Sequence, residues 1–313
     1  MRDRDEATAL HDALPVGYHL HHYRIEAVLG ASHFWIVYKA MHEALGNHRA
    51  IKEYFAIKEY FPVAWSSRKH HEADLLIEMR EASSPSTAED AVVAETGFAW
   101  GLERFLNEAR ILAQVSHPGV VRIRDFFEAN GTAYLVMDYA DGEPLDRLLR
   151  REKTLAEARI RRLLDDVWPA LEAMHALGYL HCDLKPAHLY GRADGRTLLI
   201  GFGSARPALQ RRGTIAMLST NRYAPIELFP AEGECHCGPW TDLYALGAVL
   251  YHCVTGVKPP SAQSRLLGAP LRLAEEAAAG HYRPALLRLI VRAMAVRPER
   301  RFQTAAQMRA ALE

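Results

Sequence analysis

The chain has 313 residues, which is enough for one large or two small domains with a substantial apolar core. Lysine plus arginine and aspartate plus glutamate both number 38, so bulk charge gives no reason to expect a nucleic-acid or acidic-membrane partner. Four cysteines are too few for a disulfide scaffold, no apolar run approaches the roughly 20 residues that span a bilayer, and the charged first residues do not form a signal peptide, so a cytoplasmic protein without a membrane segment is the expectation.

The first part of the chain has the composition of strands. Residues 1–22 are polar and are predicted to form a flexible segment. Residues 23–29 and 34–40 are rich in β-branched and aromatic side chains, and Gly46 and Asn47 mark a hairpin turn after the second run. These signals predict two neighbouring antiparallel strands.

A tandem duplication follows this turn. The hexapeptide Ala-Ile-Lys-Glu-Tyr-Phe occupies residues 50–55 and again residues 56–61. Because side chains alternate along a strand and the period is even, Lys52 and Lys58 are predicted to point to the same face. A slip of the strand by one whole repeat would leave the pattern unchanged, so the sequence fixes the register weakly here.

The remaining segments predict a change from strands to helices. Residues 66–96 are polar and predict an inserted, partly mobile excursion before a helix. Beyond residue 141 most of the long periodic runs have helical spacing. A small strand-rich half (residues 23–137) is therefore predicted to precede a larger helical half (residues 143–313), with residues 138–142 as the hinge.

Two short stretches in the helical half carry residues suited to chemistry. Residues 181–188 read His-Cys-Asp-Leu-Lys-Pro-Ala-His, and residues 201–203 read Gly-Phe-Gly after an apolar run. Further on, residues 224–227 read Ala-Pro-Ile-Glu and residues 238–251 read Gly-Pro-Trp-Thr-Asp-Leu-Tyr-Ala-Leu-Gly-Ala-Val-Leu-Tyr. Each motif alone is a weak signal, but their number and order make a strong one.

In this order the motifs resemble the eukaryotic-type protein kinase superfamily, and in particular bacterial Ser/Thr protein kinases. The resemblance covers residue 23 to nearly the last residue. It implies an α+β, bilobal protein-kinase-like fold, with a strand-rich N-terminal lobe containing one main helix and a larger helical C-terminal lobe. It also implies ATP as a candidate cofactor and a protein as partner or substrate. A structural ion pair between Glu227 and Arg301, and an Asp242 that steadies the catalytic loop, are further implications.

The catalytic and metal loops match the family pattern only in part. Asp183 stands at the position of the base or orienting carboxylate, and Lys185 at that of the cation on the γ-phosphate. The Arg that contacts a phosphorylated activation loop is replaced by Cys182. The metal-binding Asn and Asp are replaced by His188 and Gly201, so we assign no metal ligand and regard the use of Mg²⁺ as doubtful.

The glycine-rich loop of the family keeps only its first glycine, Gly30. Ser32 and Trp35 stand where further glycines would let the backbone approach phosphate groups. We interpret this segment as a plain hairpin tip, and a loop that folds in and fills the nucleotide cleft is the alternative. Asp138 and Ala140 in the hinge complete the candidate cofactor-binding positions outside the strand lysine and its partner.

Two lysines compete for the position that binds the α- and β-phosphates and pairs with a helix glutamate. The glutamate is assigned to Glu108. Counting along the strands from Tyr38 favours Lys52, whereas counting back from Pro62 favours Lys58. We prefer Lys52 because turn geometry sets the register of a hairpin, with the second copy of the repeat either extruded or extending the strand.

Three functions follow as hypotheses. The first is a catalytically impaired pseudokinase that acts by binding nucleotide, protein or both. The second is an active but divergent Ser/Thr kinase that transfers the ATP γ-phosphate to protein, or a nucleotidyl transferase. The third is a non-catalytic scaffold or inhibitor module that contacts a partner through residues 66–96.

Overall fold

The structure is a computed structural model, and it describes residues 10–46, 49–63, 65–71, 74–79, 88–207, 222–229, 236–272 and 280–313. The chain divides into two compact units, Met1–Ala113 with Arg122–Ala140 and Gln114–Val121 with Asp141–Glu313. The passage from Ala140 to Asp141 lies within the residues that the sequence predicts as the hinge.

The first unit is built on an antiparallel sheet. Its strands are β1 (His19–Leu20), β2 (Tyr23–Ala31), β3 (Trp35–Gly46), β4 (Arg49–Tyr60), β7 (Ile123–Ala129) and β8 (Thr132–Asp138). The order across the sheet is β1-β2-β3-β4-β8-β7. Between β4 and β7 the chain forms a separate hairpin of β5 (Ser66–His71) and β6 (Asp74–Met79), and then helix α1 (Ala88–Leu112).

Alternation along the strands gives this sheet two buried faces. Ile36 and Tyr38 of β3 are fully buried in the core of one face. On the other face Tyr60 and Leu135 pack in a second core with Phe105 of α1. Because successive side chains of a strand point to opposite faces, neighbouring residues of β4 enter different cores.

The N-terminal segment belongs to the first of these cores. Leu14 and Leu20 are buried, β1 pairs with β2, and the backbone N–H of Leu14 donates to the hydroxyl of Tyr38 at 3.1 Å. The predicted flexible segment over residues 1–22 is therefore wrong for the packed residues around Leu14 and Leu20, although Leu10 and Val16 in the same stretch are exposed. Residues 1–9 lie outside the described part of the chain.

Within the predicted inserted, partly mobile excursion over residues 66–96, β5 is anchored by a buried ion pair; the mobility of the excursion stays a prediction. Arg68 donates to both carboxylate oxygens of Glu59 at 2.8 Å and to the backbone oxygen of Asp12 at 2.6 Å. Tyr38 and Tyr134 donate to the same carboxylate at 2.6 and 2.7 Å. Burial opposes the charge of Arg68, but the charge and hydrogen bonds of Glu59, together with Tyr38 and Tyr134, outweigh it and raise the pKa of the guanidinium.

The second unit is mainly helical. Its helices are α2 (Leu145–Glu152), α3 (Glu157–Ala176), α4 (Pro239–Thr255), α5 (Ala262–Leu266), α6 (Pro284–Ala293) and α7 (Ala305–Ala310). Its strands are β9 (Gly142–Pro144), β10 (Tyr179–Leu180), β11 (Leu189–Arg192), β12 (Thr197–Leu199) and β13 (Arg206–Pro207), with β12-β11-β9 in one sheet and β10-β13 in another. Among the described residues, no helix has the length and apolar character needed to cross a bilayer.

A buried ion pair ties distant segments of this unit together. Arg301, which is 1% exposed, donates to the two carboxylate oxygens of Glu227 at 2.7 and 3.0 Å. It also donates to the backbone oxygens of Ala295 and Val296. The structural role that the resemblance implies for Glu227 and Arg301 is thus present.

Candidate active site

The loop between β10 and β11 carries Asp183 and Lys185. Asp183 is 8% exposed, and the ammonium of Lys185 donates to its Oδ2 at 2.7 Å. The side chain of Lys185 keeps about a third of its surface exposed. A carboxylate in this setting can orient a hydroxyl group, and the adjacent cation can neutralise an anionic ligand.

His188 closes the short 3₁₀ turn Pro186–His188 and faces back onto the same loop. Its Nδ1 lies 2.7 Å from the backbone oxygen of Asp183 and 3.5 Å from Oδ2 of that residue. Because a carbonyl oxygen can only accept, Nδ1 carries the hydrogen of this bond. The imidazole is therefore held in place by the residue that the resemblance assigns to catalysis.

Gly201 lies directly beside this imidazole. Its φ is +79°, in the left-handed region that favours glycine, and a Cβ added here would lie 2.6 Å from Cγ of His188. Any side chain at position 201 would need the ring to move. The two differences from the family pattern, at residues 188 and 201, therefore form a single packing arrangement.

The backbone of the catalytic loop is fixed by Asp242, in the first turn of α4. Its carboxylate accepts from the backbone N–H groups of His181 and Cys182, both at 2.9 Å, and contacts Nε2 of His175 at 2.8 Å. Burial opposes ionisation, but these hydrogen bonds outweigh it and lower the pKa of Asp242. They also hold Cys182 at a φ of +59°, which is uncommon for a residue other than glycine.

The thiol of Cys182 is not a candidate nucleophile. It is buried, and burial together with the negative charge of Asp242 raises its pKa to about 12. A thiol with such a pKa stays protonated at neutral pH, and the thiolate is the reactive form. Its role in the loop is to fill space.

In the first unit, the segment that resembles a glycine-rich loop is a tight hairpin tip between β2 and β3. The backbone N–H of Ser32 donates to the oxygen of Trp35 at 2.8 Å, and that of Phe34 donates to the hydroxyl of Ser32 at 3.2 Å. Gly30 has no positive φ, and a Cβ added there would meet nothing within 4 Å. The fold of this unit therefore does not itself require glycine at position 30.

The strand lysine that pairs with α1 is Lys58. Its ammonium lies 2.7 Å from Oε2 of Glu108, and the two residues are 7% and 3% exposed. The same ammonium lies 4.6 Å from the ring centroid of Trp35 and 5.3 Å from that of Phe105. The preference for Lys52 as the partner of Glu108 is therefore wrong.

The length of the β3–β4 hairpin explains why Lys58, and not Lys52, pairs with Glu108. The two strands pair without interruption from Trp35 with Tyr60 to Gly46 with Arg49, so both copies of the repeat, apart from Phe61, lie in β4. Tyr38 pairs with Ile57, whereas Lys52 pairs along the backbone with Glu43, nearer the turn. The duplication has lengthened the hairpin at its turn end, so counting back from Pro62 gives the right lysine.

The two hinge positions lie at the end of β8 and just after it. The backbone N–H of Asp138 donates to the oxygen of Arg122 at 3.0 Å, and its carboxylate forms an ion pair with the guanidinium of Arg124. The assignment of Asp138 and Ala140 to cofactor binding stays a prediction, as does that of Gly30.

The profile of the protein kinase domain family matches residues 88–309. The chain belongs to the protein kinase family. A solved structure described as the apo form of PpkA-294 matches this kinase domain with a TM-score of 0.82 and 34% identity, over 96% of this chain and 100% of that one. The α+β kinase fold is thereby confirmed.

The similar curated proteins are bacterial Ser/Thr kinases. PknB of Mycolicibacterium smegmatis is 34% identical over 223 residues, which are 67% of this chain and 35% of that protein. PknA of Mycobacterium tuberculosis is 34% identical over 166 residues, which are 50% of this chain and 38% of that protein. The kinase domain described here thus spans about a third of the length of these relatives.

Two contacts of the kinase domain were missed by sequence reasoning. Phe105 contacts the ammonium of Lys58, and its position three residues before Glu108 on the same helix face could have indicated this. The pair of Arg68 and Glu59 had no such signal, because nothing local in a polar stretch shows that one arginine is buried.

Proposed function

We propose that this kinase domain is a catalytically impaired pseudokinase that acts by binding nucleotide, protein or both. The observation that carries the proposal is the imidazole of His188, which fills the space beside Gly201. Mg²⁺ prefers oxygen ligands in octahedral geometry. Gly201 offers no side-chain oxygen and residue 188 offers a ring nitrogen, so the donor set does not fit the ion that the family uses.

The size of the expected loss supports the same proposal. Phosphoryl transfer depends mainly on positioning and on the neutralisation of charge by metal ions and cationic side chains. Removing a single electrostatic contact of this kind commonly lowers the rate by ~10²–10³. Kinases turn over at ~1–100 s⁻¹, so the combined loss of both side-chain metal ligands leaves little activity even where the effects do not add.

Two retained contacts favour a second candidate, an active but divergent Ser/Thr kinase. Lys58 is paired with Glu108, and Lys185 with Asp183. In the kinase family the corresponding cations bind phosphate groups of the nucleotide, which supports this candidate. The same contacts support ATP binding under either candidate, since a cation can hold a phosphate without a metal ion.

Phosphate transfer from ATP separates the two candidates. The full chain is incubated with radiolabelled ATP and a general protein substrate, with Mg²⁺ or Mn²⁺, beside its Asp183→Ala variant. We expect incorporation that is equal in the two proteins. Incorporation that needs a divalent ion and disappears in Asp183→Ala would establish the active kinase.

Melting temperature with ATP tests the binding part of the proposal. We expect ATP to raise the melting temperature by the same amount with and without Mg²⁺, because binding rests on cationic side chains. A shift that appears only with Mg²⁺ would contradict the proposed loss of the metal site. The same proposal includes a protein partner, a cytoplasmic location and the hinge at residues 138–142. Limited proteolysis with cleavage within residues 138–142 would test the hinge.

A further inference from the structure

The ammonium of Lys58 is enclosed by a carboxylate and by two aromatic rings. It donates to Glu108 at 2.7 Å and lies close to the ring faces of Trp35 and Phe105. Only 7% of the residue is exposed. An ammonium has three N–H donors, so the directions not taken by Glu108 are available to the two rings or to a ligand.

The two rings differ in how they are held. Phe105 is buried on α1 and packs with Tyr60 in the core between helix and sheet. Trp35 is only partly buried and is the first residue of β3, directly after the exposed tip residue Phe34. Of the two rings the indole is therefore the one expected to move, because Trp35 is only partly buried whereas Phe105 lies in a core.

An anionic ligand and the indole cannot both occupy this face of Lys58. A phosphate oxygen in contact with an ammonium lies at about 2.7–2.9 Å from the nitrogen. The centroid of the Trp35 ring is 4.6 Å from that nitrogen, so the ring fills this approach. The face of an aromatic ring also carries negative potential, which attracts the ammonium and repels an anion.

We propose that Trp35 is an affinity-determining residue of the nucleotide site, which covers Lys58 and must swing away before the phosphates of a nucleotide can bind. This proposal rests on the proposed nucleotide binding, and it adds that Trp35 controls the affinity. Trp35 acts as an internal competitor that lowers the affinity for polyphosphate groups and leaves that for the nucleoside unchanged. A free polyphosphate is the simplest ligand of this kind.

Calorimetric titration of the full chain tests this control, with ATP, sodium tripolyphosphate and adenosine as probes and no divalent ion. Removing the ring in Trp35→Ala should raise the affinity for ATP and tripolyphosphate by roughly tenfold, the scale of a desolvated cation–π contact, and leave adenosine unchanged. Trp35→Val, a good strand former without a π face, should give the same gain and serves if the alanine variant does not fold. The gain should disappear in Trp35→Ala/Lys58→Met.

Trp100 offers a matched control. It lies on α1 of the same unit, and the Arg104 guanidinium lies 4.8 Å from its ring centroid. Trp100→Ala should leave all three affinities unchanged. The proposal is overturned by unchanged or weaker polyphosphate binding in both Trp35 variants, by an equal gain for adenosine, or by no binding in any variant.

The last of these outcomes would also refute nucleotide binding itself. Phosphate transfer by the unmodified chain would refute the catalytic impairment and leave this test intact. The two proposals can therefore fail separately.

Discussion

The imidazole of His188 occupies the space that a side chain at Gly201 would need. A Cβ at Gly201 would lie 2.6 Å from Cγ of this ring and closer still to its Cδ2, at a backbone φ of +79°. Protein interiors are close-packed, so a substitution at one of these positions changes the packing at the other. The two positions at which this chain differs from the family's metal-binding residues are therefore coupled by packing.

We predict that Gly201→Ala lowers the free energy of unfolding by roughly 2–4 kcal/mol, from backbone strain plus the clash with His188. Gly195→Ala is the matched control, because Gly195 has a φ of +84° and nothing within 4 Å of an added Cβ. It carries the backbone strain alone, which costs about 1–2 kcal/mol. Urea unfolding measures both, and equal losses would show that the ring is not in the way.

The same coupling governs any restoration of the metal site. Gly201→Asp alone should be destabilised and should show no phosphate transfer, whereas His188→Asn/Gly201→Asp should recover stability because the smaller side chain frees the space. If the double variant gains Mg²⁺-dependent transfer, the two replacements are what disabled the site. A double variant less stable than Gly201→Asp would contradict the proposed packing.

The pair between Lys58 and Glu108 should be a substantial contributor to the first unit. Lys58→Met removes the ammonium partner of a carboxylate that is 3% exposed, and we expect a loss of roughly 3 kcal/mol together with weaker ATP binding. Lys52→Met is the matched control in the first copy of the repeat and should change neither quantity. A larger loss of ATP affinity in Lys52→Met would reverse the assignment of the strand lysine.

Arg68 and Glu59 should behave as a buried pair and not as a surface one. Arg68→Met leaves the Glu59 carboxylate, which is 0% exposed, without its cation and should cost roughly 3–5 kcal/mol in urea unfolding. Glu59→Gln/Arg68→Met should recover much of this, since the amide oxygen still accepts from the tyrosines. Arg24→Met breaks a partly exposed pair with Glu26 and should cost less than about 1 kcal/mol.

This prediction also bears on the scaffold hypothesis. Deleting residues 66–96 would remove Arg68 and disrupt the core of the first unit. Loss of partner capture in that deletion would therefore not identify a contact surface. Substitution of Ser67, a half-buried residue of β5, is the cleaner test of a contact surface there. Loss of partner capture with an unchanged melting temperature would support the scaffold.

The stability of the second unit should depend on pH through Asp242. Its pKa is lowered in the folded state, so its contribution is complete above the ordinary pKa of 3.8 and is lost as the pH falls through the lower folded value. Asp242→Asn should cost roughly 2–3 kcal/mol at neutral pH, and its difference from the unmodified chain should shrink at pH values below 3.8. Asp194→Asn, at an exposed turn, should follow the unmodified chain. A difference that stays constant with pH would exclude this role.

The sequence by itself determined the family, the change from strands to helices and the position of the loop that resembles the family's catalytic loop. These features depend on local patterns, namely strand and helix periodicity, turn residues and short motifs in a fixed order. Asp183, Lys185, Glu108, and the pair of Glu227 and Arg301 could be found in this way. Each of these motifs fixes the sequence positions of its own residues.

Only the tertiary structure decided how these pieces pack. The repeat Ala-Ile-Lys-Glu-Tyr-Phe offers the same pattern in two registers, and the choice of Lys58 depends on where the hairpin turns and what lies across the sheet. The burial of β5 depends on a carboxylate nine residues earlier in the chain, and the coupling of His188 to Gly201 on two loops that meet in space. Such contacts join residues whose local sequence patterns are independent, so neither segment by itself predicts the contact.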